Sequence, residues 1–342
     1  MPQPAPARVP RRSILRRLAL GVLALLIAGG LAGELAARFW FGLGDPPLYR
    51  LDPEVEYLLV PGRTYHRMGH VFSVNGYSMR SPDFPRTKGQ GELRVLVVGD
   101  SIVNGGARID QRELATELLR DRLQRSLGRP VVVGNFSASS WGPPNELALI
   151  RKFGTFDADV VILVLNSDDL TDVPGIEGIG AQWPQHTPTF ALEEVWDRAV
   201  TPWLERATGR SFGPAPKRAP DPEKDKVECL DAAKDFFALV RSDHAQVALV
   251  QYLTRNEVVG APQEGYARFR DMAARAGVSA YSTGDSFRAS LDAGRDPYLP
   301  GDGVHPSATG QELLAKTLER AVLDLPAAHA GQSRPGATGA TR

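Results

Sequence analysis

Leu93-Arg94-Val95-Leu96-Val97-Val98-Gly99-Asp100-Ser101 is the stretch whose reading decides the fold. It is an apolar, largely β-branched run with one polar side chain, which suits a strand covered on both faces of a parallel sheet. It ends in Gly-Asp-Ser, which by itself is ordinary turn chemistry. Residues 112–127 then follow a helical pattern. Strand, turn and helix form the unit of an open α/β sheet, and such sheets bind ligands beyond the carboxyl ends of their strands. A serine placed there exposes its hydroxyl and its backbone N–H, as an acyl-transfer nucleophile requires.

Working outward, strand patterns recur at 93–98, 130–134, 159–165, 246–252 and 278–281. Helical patterns fall at 112–127, 144–153, 227–242, 264–276 and 307–323. This alternation predicts a three-layer α/β/α sandwich with a doubly wound parallel sheet over residues 92–325. It breaks at 173–225, where eight prolines accompany Trp183, Trp196 and Trp203. A long interruption inside a compact domain is usually functional. We expect a cap insertion that helps form the pocket, with a helix near Phe190 to Arg206. Residues 44–91 are rich in Pro, Gly and Tyr and predict a β-rich lead-in with a turn at Asn75-Gly76. His66 and His70 lie there at a spacing that would suit a metal only on a helix, so they read as surface histidines. The tail 326–342 has no periodicity and is expected to be disordered.

The first 17 residues hold five arginines and no acid; since the 342-residue chain is formally neutral, the remainder sums to about −5. No basic face suggests nucleic acid. Cys229 is the only cysteine, so neither an internal disulfide nor a cysteine metal cluster is available. Leu18 to Gly33 is free of charge, and Phe39-Trp40-Phe41 follows at the far end. Residues 18–41 predict an uncleaved signal-anchor helix in the cell membrane. Residues 1–17 would be cytoplasmic and the bulk of the chain extracytoplasmic, by the positive-inside rule.

Three further stretches bear on chemistry. Asp302 and His305 lie three apart in Leu299-Pro300-Gly301-Asp302-Gly303-Val304-His305-Pro306. A loop of this kind can set a carboxylate against one imidazole nitrogen while the other faces a serine. Asn135-Phe136-Ser137-Ala138-Ser139-Ser140-Trp141-Gly142 ends the second strand with small residues that permit close backbone approach, so one N–H could meet an oxyanion. Asn166-Ser167-Asp168-Asp169 ends the third, where an amide could add a second donor.

Taken together, these blocks resemble the SGNH or GDSL-like hydrolase superfamily over about residues 93–323. The nucleophile block matches at Gly99-Asp100-Ser101 and the terminal block at Asp302-Gly303-Val304-His305. Asn75-Gly76-Tyr77-Ser78-Met79-Arg80 looks like the lead-in of membrane-anchored bacterial members. The resemblance implies a flavodoxin-like fold and a Ser101–His305–Asp302 triad that needs no metal or organic cofactor. It implies a small-molecule, glycan or lipid ester as substrate. Two blocks depart from the pattern. Ser140 stands where the family has a glycine, whose N–H serves the oxyanion. Asp168 stands where the family has a donating asparagine, and an ionised carboxylate only accepts. Three arrangements are open: Asn166 takes over; Asp168 is protonated or serves substrate binding; or Ser101 and Ser140 act alone. The first functional reading is a serine esterase. An O-acyltransferase of cell-envelope or exported polysaccharide would use the same residues with a sugar acceptor. A non-catalytic glycan-binding protein on the same fold is the third reading.

Overall fold

A computed structural model describes residues 11–175, 183–211 and 221–329. Residues 1–10 of the expected basic segment, 330–342 of the expected tail, and 176–182 and 212–220 of the insertion lie outside them. In chain order the elements are α1 (Arg11–Phe39), β1 (Tyr49–Asp52), β2 (Glu56–Leu59), β3 (Arg63–Arg67), β4 (His70–Val74) and β5 (Leu93–Gly99). Next come α2 (Ser101–Asn104), α3 (Ala115–Leu127), β6 (Val131–Ser137), α4 (Pro143–Phe153) and β7 (Val160–Leu165). They are followed by α5 (Ala191–Val195), α6 (Thr201–Thr208), α7 (Pro222–Ser242), β8 (Gln246–Gln251) and α8 (Arg255–Val259). The last are α9 (Glu264–Arg275), β9 (Ser279–Ser282), α10 (Gly284–Asp292) and α11 (Ala308–Leu323).

The chain divides into two compact units. The larger one holds every strand among the described residues. Its five-stranded sheet is wholly parallel in the order β6-β5-β7-β8-β9, the flavodoxin-like doubly wound arrangement. Every residue of β5 and β7 is buried, as their unbroken apolar runs require. Side chains alternate between two cores. Leu96 and Val98 join the core shared with Leu149 of α4, Phe236 of α7 and Phe269 of α9. Leu93, Val95 and Val97 join that of Leu119 in α3 and Leu318 in α11. The order of the sheet reverses between β5 and β7, which places the topological switch point at their carboxyl ends.

The lead-in forms two antiparallel hairpins, β1–β2 and β3–β4. The second turns at Met68-Gly69, both with positive φ. Asn75-Gly76 makes a turn beyond β4, because the Asn75 side chain accepts from Tyr77 N and Met79 N. His66 and His70 sit on these strands, His66 exposed and His70 half-buried. The ordered chain continues past Leu325: Pro326–His329 form a 3₁₀ turn, and Arg129 donates to the carbonyls of Ala327 and Ala328.

The smaller unit holds α1, α5 and α6. Within α1, Leu15–Phe39 is a 25-residue span whose most apolar 18-residue window has mean hydropathy 2.1 and no buried residue, long and apolar enough to cross a membrane. The expected helix near 190–206 is present as α5 and α6, joined by a wider π-helical turn over Trp196–Val200.

Candidate active site

β5 delivers its last residues to the switch point. A side chain at Gly99 would meet Val103 Cγ2 at 2.7 Å and the Val164 carbonyl at 3.1 Å, so only glycine lets the strand close on β7 here. Asp100 caps the next turn, its Oδ1 accepting from Ile102 N at 2.8 Å. Ser101 is therefore the first residue of the one-turn helix α2, rather than part of a loop leading to a helix at 112. Two asparagines tie α2 to β6: Asn104 Nδ2 donates to Ser137 O at 3.2 Å and Asn135 Nδ2 to Val103 O at 2.9 Å.

The loop before α11 brings the other two residues. Asp302 Oδ1 accepts from Val304 N at 2.9 Å and His305 N at 3.0 Å, which fixes the carboxylate within its own turn. Its Oδ2 lies 2.8 Å from His305 Nδ1, and His305 Nε2 lies 3.0 Å from Ser101 Oγ. A carboxylate against Nδ1 assigns the proton to that nitrogen and leaves the Nε2 lone pair facing the hydroxyl. Partial burial pushes the Asp302 carboxyl up, but the N–H groups of His305 and Val304 and the imidazole outweigh it and hold it down to about 2. Tyr252 Oη donates to Val304 O at 2.6 Å, bracing the loop from the end of β8.

The expected oxyanion donors lie at the ends of β6 and β7. Ser140 is exposed and adopts φ +58°, the left-handed conformation that glycine takes most readily. The turn is held by Tyr57 Oη, which donates to the carbonyls of Ser139 and Ser140. A side chain at Gly142 would come within 2.0 Å of the Asp172 carbonyl, so the backbone approach anticipated for this stretch occurs there. Asn166 is buried, and its Nδ2 donates to Asp100 Oδ2 at 3.3 Å. Its Oδ1 accepts from Asp168 N at 2.8 Å and its own N–H donates to Asp169 Oδ2 at 2.7 Å. Asp168 is exposed and begins a 3₁₀ turn. Asn166 rather than Asp168 thus touches the residue preceding Ser101.

Behind this surface lies a group of acids, of which Asp100, Glu146 and Asp169 are buried and Asp172 is half-buried. Burial raises the Asp100 carboxyl to about 6 against the opposing pull of Ile102 N–H and His305. Burial, reinforced by Asp100 and Glu56, raises Asp172 to about 7. Burial also pushes Glu146 and Asp169 well up. Both carboxyl oxygens of Glu146 are buried without a hydrogen-bond partner. Ionising several such groups together is costly, which is why the carboxyls behind Ser101 are raised.

Three supporting residues escape a reading of the sequence for chemistry. Arg80 is fully buried and donates to the carbonyls of Asn104, Gly106 and Ile109, clamping the segment that leaves α2. Its place beside the Asn75-Gly76 turn was visible, but its partners, about 24 to 29 positions on, were not. Tyr57 reaches Ser139 across 82 positions. Arg108 Nη2 lies 3.0 Å from Asp302 Oδ2.

Serine, imidazole and carboxylate lie in line at the carboxyl end of β5, beside the switch point of a flavodoxin-like sandwich, an arrangement that ester hydrolysis by a serine would need. The family model of the GDSL-like lipase/acylhydrolase family matches residues 97–313. The chain belongs to that family and is a hydrolase of ester bonds. No curated protein matches it. Among solved structures, it is similar to LAE5, an alpha/beta hydrolase enzyme from the metagenome of Lake Arreo, at 16% identity and TM-score 0.44, covering 67% of this chain and 94% of that one. It is similar to the acetyl xylan esterase AlAXEase at 15% identity and TM-score 0.43, covering 67% and 100%. A mutant of Axe2, an acetylxylan esterase from Geobacillus stearothermophilus, matches at 15% identity and TM-score 0.41, covering 67% and 93%.

Proposed function

We propose that the protein is a membrane-anchored serine esterase that cleaves an acyl ester of a carbohydrate or lipid alcohol through Ser101, His305 and Asp302. The observation that carries this reading is the unbroken relay from Asp302 Oδ2 through both His305 nitrogens to Ser101 Oγ, spanning 204 positions of sequence. Ser101 Oγ attacks the ester carbonyl while His305 Nε2 takes its proton. Asp302 keeps the ring in that tautomer and stabilises the imidazolium. The tetrahedral oxyanion is met by the N–H groups of Ser101 and Ser140 and by the second amide proton of Asn166. The intermediate collapses and the imidazolium gives its proton to the departing alcohol. Water, activated by His305, then hydrolyses the acyl-serine and releases the acid. Helix α1 holds the enzyme in the cell membrane, with the arginine-rich end in the cytoplasm and the hydrolase unit outside.

The test is hydrolysis of a short-chain aryl ester by the full chain in detergent, beside Ser101→Ala, with a serine-directed fluorophosphonate as a second readout. Wild type should turn over and label while the variant does neither. Equal inertness of the two proteins in both assays would sink the reading. Adding glycan acceptors to the same assay separates hydrolysis from transfer. An acylated glycan in place of free acid would identify the O-acyltransferase instead.

A further inference from the structure

The smaller unit presents an apolar surface that the hydrolase chemistry does not use. Phe190, Trp196 and Trp203 are 62%, 56% and 60% exposed, and Leu192 is also exposed. Soluble surfaces seldom gather large aromatic side chains in this way. The segment bearing them is fastened to one end of the apolar span. Glu34 Oε1 accepts from Ala191 N at 2.9 Å and Oε2 from Leu192 N at 3.1 Å. Arg38 pairs with Glu34 and donates to Thr189 O at 2.7 Å, while Gly44 N donates to Glu194 Oε2 at 3.0 Å.

The depth of this attachment follows from helix geometry. The charge-free stretch Leu18 to Gly33 rises about 24 Å at 1.5 Å per residue, a little less than the roughly 30 Å hydrocarbon core. Glu34 therefore falls at the far edge of that core. Its charge is tolerable there because Arg38 and two backbone N–H groups answer it. Phe39 and Trp40, 84% and 85% exposed, continue at the level where aromatic rings favour the interface. Whatever is fastened to Glu34 and Arg38 lies at the same level.

We propose that residues 190–208 form an interfacial helix of the anchor, with Phe190, Leu192, Trp196 and Trp203 seated in the lipid headgroup layer. This rests on the reading of α1 as a membrane span. Its occupant is a lipid bilayer, because the exposed aromatics are continuous with a span whose most apolar 18-residue window has no residue buried by protein. The insertion within the hydrolase sequence thus binds the enzyme to the membrane surface a second time, beyond the single helix.

The test uses the full chain in Cys229→Ser form, reconstituted in vesicles of phosphatidylethanolamine and phosphatidylglycerol. Cysteines introduced as Trp196→Cys, Trp203→Cys, Leu25→Cys and Glu223→Cys carry a spin label one at a time. Collisions with oxygen report lipid, and collisions with a water-soluble nickel chelate report solvent. We expect labels at 196 and 203 to be about tenfold less accessible to the chelate than the label at 223, and more oxygen-accessible than it, between that label and the one at 25. Water exposure at 196 and 203 with lipid exposure at 25 would overturn the interfacial helix and leave the anchor standing. Water exposure at 25 would overturn both. Protection at 203 from both reagents, or broadening between labels of different molecules, would assign the face to protein contact and overturn the lipid assignment.

Discussion

Arg108 and His305 share one oxygen: Asp302 Oδ2 lies 3.0 Å from Arg108 Nη2 and 2.8 Å from His305 Nδ1. The two contacts differ in weight. The Arg108 side chain is 51% exposed, and solvent-exposed ion pairs contribute at most about 1 kcal/mol. Arg108→Ala should therefore lower kcat/KM by less than about fivefold, and the effect should shrink in high salt. Asp302→Asn removes the partner that sets the imidazole tautomer, and losses there are of order 10³–10⁴-fold. Steady-state kinetics of the two variants on one ester decide the matter. Arg108→Ala as damaging as Asp302→Asn would show that the guanidinium itself acts in the reaction.

The buried acids set the pH dependence of stability. A carboxyl whose folded value is raised favours the folded state while protonated. That stability is fully present below the ordinary carboxylate range and is lost as pH rises through the folded value. For Asp100 and Asp172 the window runs from about 4 up to about 6 and about 7. The wild type should lose stability over this range. Glu146→Gln and Asp172→Asn keep the shape of the side chain without its charge. Each should raise stability at pH 8 by on the order of 1 kcal/mol and do little at pH 4. Thermal unfolding across pH 4–8 tests this; an unchanged slope in both variants would contradict it.

Ser140 holds φ +58° with a β-carbon that disfavours it. The left-handed region costs a non-glycine residue roughly 1–2 kcal/mol, and glycine returns about 0.5–1 kcal/mol in backbone entropy. Ser140→Gly should then stabilise the fold by about 0.5 kcal/mol. Because the proposed donor is the backbone N–H, kcat/KM should stay within about twofold, the loss of a proper oxyanion donor being about 100-fold or more. A large loss of activity in Ser140→Gly, measured beside its melting temperature, would assign the work to the hydroxyl.

Local signals made much of this legible. β5, β7 and β8 fall within a residue of their apolar runs, because a strand covered on both faces is continuously apolar, whereas the edge strand β9 (Ser-Ala-Tyr-Ser) is exposed to half-buried and has no such run. Asp302 and His305 could be paired because their turn is self-contained. Features set by distant partners were not legible. The start of α2 at Ser101 depends on the Asp100 cap and on ties from β6. Arg80 and Tyr57 support the site through carbonyls, which leave no mark in side-chain pattern. Docking of Ala191 and Leu192 onto Glu34 joins residues about 157 positions apart, with no periodicity to announce it.

The last prediction concerns which residue of Asn166-Ser167-Asp168-Asp169 serves the oxyanion. Asn166 is 6% exposed and spends one Nδ2 proton on Asp100, the residue before the nucleophile. Asp168 is exposed, and its backbone N–H is bound by the Asn166 side chain. An ionised carboxylate at the hole would repel the developing charge, whereas one outside it is nearly neutral to catalysis. Asp168→Asn should accordingly change kcat by no more than about threefold, while Asn166→Ala should lose about 100-fold or more, the usual cost of one oxyanion donor. Asn166 also holds Asp100, so a fall in kcat alone would not distinguish donor from scaffold. Fluorophosphonate labelling separates them, since its adduct places an oxygen in the hole. Asn166→Ala should bind KM-level substrate normally yet label slowly, with an unfolding temperature close to wild type. A rise in kcat of tenfold or so in Asp168→Asn would instead put position 168 in the hole, as the family pattern has it.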